Sequence, residues 1–203
     1  KTFYRIKQLT TRYKSKAMTD ILDEIIAHKR LEIEQQKAAI SQESLINNCN
    51  EPMPRRSMRA SLSASPSGII AEFKRRSPSK GWIKENAQAD IISPAYEMAG
   101  ASVLSILTDE NFFGGNLKDI RAARPQVSLP ILRKDFIIDE YQLYQACIVG
   151  ADAVLLIAAA LRKEQCSMLE RSGKNECEEN DKSGDFWDSS CRGAVCFRLQ
   201  RWE

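Results

Sequence analysis

This chain has a single histidine among its 203 residues, and its six cysteines include no Cys-x-x-Cys pair. Those shortages exclude a zinc site built on closely spaced ligand pairs, and no metal is expected. Charge of one sign is scarce as well. Thirty Lys and Arg against 27 Asp and Glu leave a net +3, too little to make nucleic acid an expected partner. No apolar run reaches the length of a membrane span, and the longest candidate, residues 151–161, is interrupted by Asp152. Residues 1–17 are basic but hold neither an apolar core segment nor a cleavage site. They do not make a secretory signal, and a cytoplasmic location is expected. No Gly-x-Gly-x-x-Gly opens a helix, which removes the dinucleotide-binding fingerprint.

What is present is an ordinary globular composition, 43% hydrophobic and 28% charged, long enough for one substantial core. Residues 1–17 read as a basic, disordered appendage ahead of Met18. With Thr19 or Asp20 as cap, Ile21, Leu22, Ile25, Ile26 and Ile33 then mark one face of an amphipathic helix that should lie over something apolar. Residues 41–68, rich in Ser, Asn, Pro and Arg, read as irregular structure with one short helix at 58–62. Beyond them an alternation sets in. Strands are expected at residues 69–73, 103–107, 130–133 and 153–157, separated by helices at 91–99 ending at Gly100, 117–123 behind an Asn116 cap, and 140–149 between an Asp139 cap and a Gly150 stop. The spacing leaves room for one crossover helix between strands, so the sheet should be parallel.

The chemistry gathers at the carboxyl ends of these strands. Side chains alternate along a strand, so Glu72 and Lys74 project to one side and Phe73 to the other. A turn, Ser77-Pro78-Ser79-Lys80-Gly81, follows, with Ser77 and the nearby amides able to bond a phosphate or carboxylate. Thr108 and Asp109 end the second strand, and Lys134 with Asp135 the third. Reactive groups converging from several strand ends favour a (β/α)8 barrel over an open sheet. Lys74 and Lys134, with Arg75, Arg76 and Arg133 nearby, make an anionic small molecule the natural ligand. Arg75, Arg76 and Lys80 taken alone read as a solvated basic loop, whereas Lys74 beside Glu72 is a candidate general acid. Phe112, Phe113 and Phe136, in the loops after the second and third strands, can clamp a planar substrate, although a ring beside Gly114-Gly115 can equally serve as a loop anchor.

Four runs, in order and spacing, resemble the indole-3-glycerol phosphate synthase family of tryptophan biosynthesis. They are Ile70-Ala71-Glu72-Phe73-Lys74-Arg75-Arg76-Ser77-Pro78-Ser79-Lys80-Gly81, Leu107-Thr108-Asp109-Glu110-Asn111-Phe112-Phe113-Gly114-Gly115, Pro130-Ile131-Leu132-Arg133-Lys134-Asp135-Phe136 and Gly150-Ala151-Asp152-Ala153-Val154-Leu155-Leu156-Ile157. The resemblance extends over about residues 18–161. It implies an α/β fold of the TIM-barrel type with an added amino-terminal helix, no cofactor, and a phosphorylated carboxyphenylamino deoxyribulose substrate closed to an indole with loss of carbon dioxide and water. By the same resemblance Lys134 is the general acid toward the substrate carbonyl, and Lys74 a catalytic or carboxylate-binding lysine. Glu72 orients the pair, Ser77 lies on the phosphate side, and Phe113, Phe136 and Leu155 enclose the aromatic part of the substrate.

The family's pattern continues with four more strands, carrying a glutamate base, an asparagine and glycine-rich phosphate loops, for which this sequence has no counterpart. From about Asn175 the hydrophobic period is lost. The expected organisation is therefore residues 1–17 as appendage, 18–174 as a partial barrel of about four βα units, and 175–203 as an unrelated, disordered tail. Such a half barrel should leave residues 103–107 and 153–157 with one apolar face uncovered, and the fourth strand with an open edge through which the chain can self-associate. A non-catalytic interaction module is the alternative to an enzyme.

Overall fold

The fold is taken from a computed structural model, which describes residues 2–49, 56–174 and 194–198. In chain order the elements are α1 (Thr2–Ala39), α2 (Gln42–Cys49), α3 (Met58–Ala64), β1 (Ile70–Phe73), β2 (Arg76–Ser77), β3 (Gly81–Trp82), α4 (Ala89–Met98), β4 (Val103–Leu107), α5 (Glu110–Phe113), α6 (Leu117–Ala123), β5 (Ile131–Lys134), α7 (Tyr141–Val149), β6 (Ala153–Ile157), α8 (Lys163–Lys174) and β7 (Ala194–Arg198). The main sheet has the order β1-β4-β5-β6-β7. Its first four strands are parallel, with Glu72 level with Ser105, Ser105 with Leu132 and Leu132 with Ala153. Each parallel connection passes through helix, as the spacing of the apolar runs requires.

Local chemistry places these elements where the sequence calls for them. Asn116 caps α6 by accepting Lys118 N–H at 2.9 Å, and Asp119 closes the capping box by accepting Asn116 N–H at 3.0 Å. At α7 the cap residue is Glu140, yet Asp139 still supplies the side-chain bond, accepting Tyr141 N–H at 2.9 Å. Gly150 stops that helix in the left-handed region at φ 85°. Ile25, Ile26 and Ile33 of α1 are buried, and Ile33 joins Leu45, Cys49, Tyr141, Tyr144 and Cys147 in a small core between α1, α2 and α7. A larger core, including Phe73, Leu104, Ile106, Ile131, Val154 and Leu156, fills the space between the sheet and its helices.

Several expectations are corrected. Helix α1 has no cap at Thr19 or Asp20 but runs unbroken from Thr2, so residues 2–17 continue the helix rather than forming a disordered appendage. The reason is compositional: neither Gly nor Pro occurs before Pro52. Residues 42–49, read as irregular, form α2, whose Leu45 and Cys49 are buried against α7. Burial of that face outweighs a weak local preference. Phe112 and Phe113 lie in the one-turn helix α5 rather than in a loop, because Asp109 caps it by accepting Phe112 N–H at 2.8 Å. The edge of β6, expected to be open, is paired: β7 runs antiparallel along it, Ala153 opposite Arg198 and Ile157 opposite Ala194. A strand thus occurs where no strand period was legible, and the rest of the predicted tail lies outside the described residues. All five residues of β4 are buried, so its expected uncovered face is also absent. Leu104 and Ile106 lie in the main core on one face, and on the other the bond from Glu72 of β1 to Lys134 of β5 passes over the small Ser105.

Nothing in the spacing of the cysteines announces the disulfide between Cys49 and Cys147, which ties α2 to α7 across 98 residues. Among the described residues, no helix is long and apolar enough to cross a membrane, and no group of three or more His, Cys, Asp and Glu is placed to hold a metal ion.

Candidate active site

Parallel register determines which strand-end side chains can meet. Glu72 and Lys134 stand on β1 and β5, with β4 between them, a separation of about 10 Å at two strand spacings. Their long side chains close that gap on one face of the sheet, over the small Ser105. The Glu72 carboxylate bonds the Lys134 ammonium through one oxygen and accepts from Lys74 Nζ at 2.8 Å through the other. Lys74 falls just past the end of β1, where the chain turns into the β2–β3 hairpin. All three groups are about one-third exposed, 31% for Lys74, 29% for Glu72 and 38% for Lys134, so they are open to a ligand from the rim. Burial alone would raise the Glu72 carboxyl, but hydrogen bonds from Lys134 and Lys74 outweigh it and hold the group below the usual carboxylate range. Two cations against one anion leave the cluster with surplus positive charge.

The aromatic walls stand beside it. Phe113 and Phe136 approach with ring centroids 6.1 Å apart at an interplanar angle of 36°, and Phe112 packs edge-on against His28 of α1 at 5.9 Å. Gly115 lets the chain turn back over the end of β4, since a Cβ there would lie 2.2 Å from the Leu107 carbonyl oxygen. That close approach accounts for Gly115, and Gly114 caps α5 in the left-handed region at φ 63°. Leu155 is half-buried on β6, two residues beyond Ala153 and so one row nearer the rim. Ser77 is buried in the hairpin, where its hydroxyl oxygen accepts Lys80 N–H at 3.2 Å.

The guanidinium groups are used differently from the sequence reading. Arg75 makes a bidentate pair with Asp119, both bonds 2.6 Å, which raises its already high pKa, and its guanidinium lies over the Phe73 ring. Arg76 donates to the Asn111 carbonyl at 3.0 Å and lies over Trp82. Neither is part of a solvated basic loop. Arg133 sits on the opposite face from Lys134, buried, donating to Thr108, to Asp135 and to the Gln142 carbonyl. It supports the core side of β5 and does not join the rim.

Sequence reasoning missed Lys29. On α1, this ammonium is only 1% exposed and contacts Asp109 at 2.9 Å, Asp135 at 3.1 Å and Glu32 at 2.8 Å. Burial would lower its pKa, but Asp135, Asp109 and Glu32 outweigh that and raise it. Asp135 is held well below the ordinary aspartate range by Arg133, Lys29 and the Thr108 hydroxyl, against the opposing effect of burial. The only advance signal is position: Lys29 follows Ile25 and Ile26 by one helical turn, on the side that is buried.

The chain is also similar to known proteins over much of its length. The family model described as indole-3-glycerol phosphate synthase matches residues 22–177. An indole-3-glycerol phosphate synthase of Bacteroides thetaiotaomicron is 68% identical over 152 residues, which is 75% of this chain and 58% of that protein. One of Neisseria meningitidis serogroup B is 50% identical over 157 residues, 75% of this chain and 60% of that protein. One of Syntrophobacter fumaroxidans is 44% identical over 186 residues, 88% of this chain and 70% of that protein. This chain thus spans about 60% of the length of the first two relatives. Four parallel strands joined through helices, an amino-terminal helix and a match over residues 22–177 together establish that this chain belongs to the indole-3-glycerol phosphate synthase family, a family of (β/α)8 barrels.

Proposed function

We propose that this chain carries the amino-terminal half of an indole-3-glycerol phosphate synthase active site, for ring closure of 1-(2-carboxyphenylamino)-1-deoxyribulose 5-phosphate. The observation that carries this reading is the Glu72 carboxylate held between Lys74 and Lys134. Lys134 serves as general acid toward the substrate carbonyl, making its carbon electrophilic toward the aromatic ring. Lys74 meets the substrate carboxylate or shares the proton transfer, and Glu72 keeps both ammonium groups at the rim. Phe113, Phe136 and Leu155 enclose the aromatic ring, orienting it for attack. Ser77, in the hairpin, belongs on the phosphate side. Ring closure then completes with departure of carbon dioxide and water, for which no cofactor is required. A cytoplasmic location fits this reading.

The residues described here supply an acid but no counterpart of the family's base, so the chain as written has little synthase turnover. Residues 175–203 are read as an out-of-frame or foreign continuation, and translation of the coding DNA in the other frames tests this by the presence or absence of a fifth-strand sequence. For the site itself, fluorescence titration with anthranilate is expected to show binding that Lys74→Met weakens about tenfold or more, the loss of a charge-assisted hydrogen bond to the carboxylate. An assay following indole-3-glycerol phosphate formation should find no enzyme-like rate. Absence of anthranilate binding, or unaltered binding by the Lys74 variant, would overturn the site, and rapid turnover would overturn the half-site reading.

One observation favours a second reading, an interaction module. Ile69 and Ile70 at the β1 end of the sheet are about half exposed, and among the described residues β1 pairs only with β4. A soluble, well-folded dimer that binds no anthranilate would support it.

A further inference from the structure

We infer that Lys29 is a positioning residue that couples the amino-terminal helix to both aromatic walls of the site. This inference rests on the synthase reading for its purpose, and on geometry for its mechanism. Lys29 contacts one aspartate from each of two different strand-to-helix connections, Asp109 after β4 and Asp135 after β5, which are 26 residues apart in sequence. Each aspartate in turn holds an aromatic residue by its backbone. Asp109 gives one oxygen to Lys29 and the other to Phe112 N–H at 2.8 Å, fixing the turn that carries Phe113. Asp135 offers one oxygen to both Lys29 and Phe136 N–H, the latter at 2.8 Å, and the other to Thr108 and Arg133. The ammonium therefore fixes the distance between the two loops that carry Phe113 and Phe136, whose rings pack 6.1 Å apart.

Asp135 also directly follows Lys134, the proposed acid. A shift of Asp135 moves the end of β5 from which Lys134 reaches Glu72. Burial makes the coupling stiff. All three groups are 1% exposed, and at low local dielectric none can exchange its partner for water without a large penalty. Position along α1 matters too: His28, the neighbour of Lys29, packs edge-on against Phe112, so the same turn of α1 touches one wall directly and both walls through charge.

The test uses the full chain and two variants, Lys29→Met and the double variant Lys29→Met/Asp109→Asn. In the double variant no carboxylate is stranded, because Asp135 keeps Arg133. Amide hydrogen exchange at Phe112 and Phe136 is expected to accelerate together by about tenfold or more in both variants, and anthranilate affinity to fall about tenfold. Amides in the middle of β4 should be unchanged in the double variant. Lys37→Met, which removes a partly exposed pair between α1 and Asp139 ahead of α7, should alter neither readout. A folded double variant with parental exchange at Phe112 and Phe136 would overturn the inference. Loss of the fold in both variants would overturn it as well, since Lys29 would then be required for folding rather than for positioning. If the parent binds no anthranilate, the synthase reading fails while the exchange measurement still judges the coupling.

Discussion

Two charge clusters in this molecule are mirror images in composition and opposites in environment. At the rim one acid, Glu72, lies between two bases, Lys74 and Lys134. Beneath α1 one base, Lys29, lies between two buried acids, Asp109 and Asp135, with the partly exposed Glu32 at its side. The rim groups are about one-third exposed and carry surplus positive charge, whereas the buried groups are almost fully withdrawn from water and Arg133 completes their balance. Burial removes water as an alternative partner, so every charge in the inner cluster must be met by protein and the geometry becomes fixed. The rim retains water on one side and can exchange it for an anion. One arrangement is closed to water and the other stays open at the rim.

That contrast can be broken most forcefully at Asp135. Its replacement by Ala strands Lys29 and Arg133 in the interior, and the expected loss is about 3–5 kcal/mol of unfolding free energy by urea denaturation. A loss below about 1 kcal/mol would mean that the inner cluster is no more constrained than a surface pair. Titration gives the next test. The Asp135 pKa is depressed in the fold, so its contribution to stability is present above the ordinary value of 3.8 and is lost as pH falls below it. For Lys29 the pKa is raised, so its contribution is present below 10.5 and lost as pH rises through the higher folded value. Circular dichroism against pH should therefore show a plateau between these limits, and Asp135→Asn should flatten the acid limb.

A smaller effect is expected at the rim. Glu72→Gln should change the stability by less than about 1 kcal/mol, because both lysines can turn to water. A cost equal to that of Asp135→Ala would erase the distinction between the clusters. The smallest effect belongs to Lys37→Ala, which breaks the partly exposed pair with Asp139. Chemical denaturation should detect about 0.2–1 kcal/mol at most, setting the surface baseline for the other variants.

Much of the parallel sheet was legible because its signals are local. Residues 103–107 and 153–157 are short apolar runs bounded by turn residues, and the strands occupy them end to end. The pair Glu72 and Lys74 followed from alternation alone, and the Asn116 cap from a single side chain that competes well for an amide. Helix α2 was not legible, since its Ser- and Asn-rich stretch becomes helical by burying Leu45 and Cys49 against α7. Strand β7 was hidden for a similar reason: it is specified by an edge on β6 that accepts it rather than by a pattern of its own.

The sequence by itself determined the order of strands and helices, the side on which Glu72, Lys74 and Lys134 emerge, and the family to which the chain belongs. These depend on side-chain alternation, caps and short motifs, each confined to a few neighbouring residues. Only the tertiary structure decided that Arg133 turns away from the rim, that Arg75 is spent on Asp119, and that Lys29 is the hub of two loops. Along the chain these cations look alike, as charged groups that water can serve. What separates them is whether folding leaves them any water, and that depends on elements up to about a hundred residues away, such as Asp135 from Lys29.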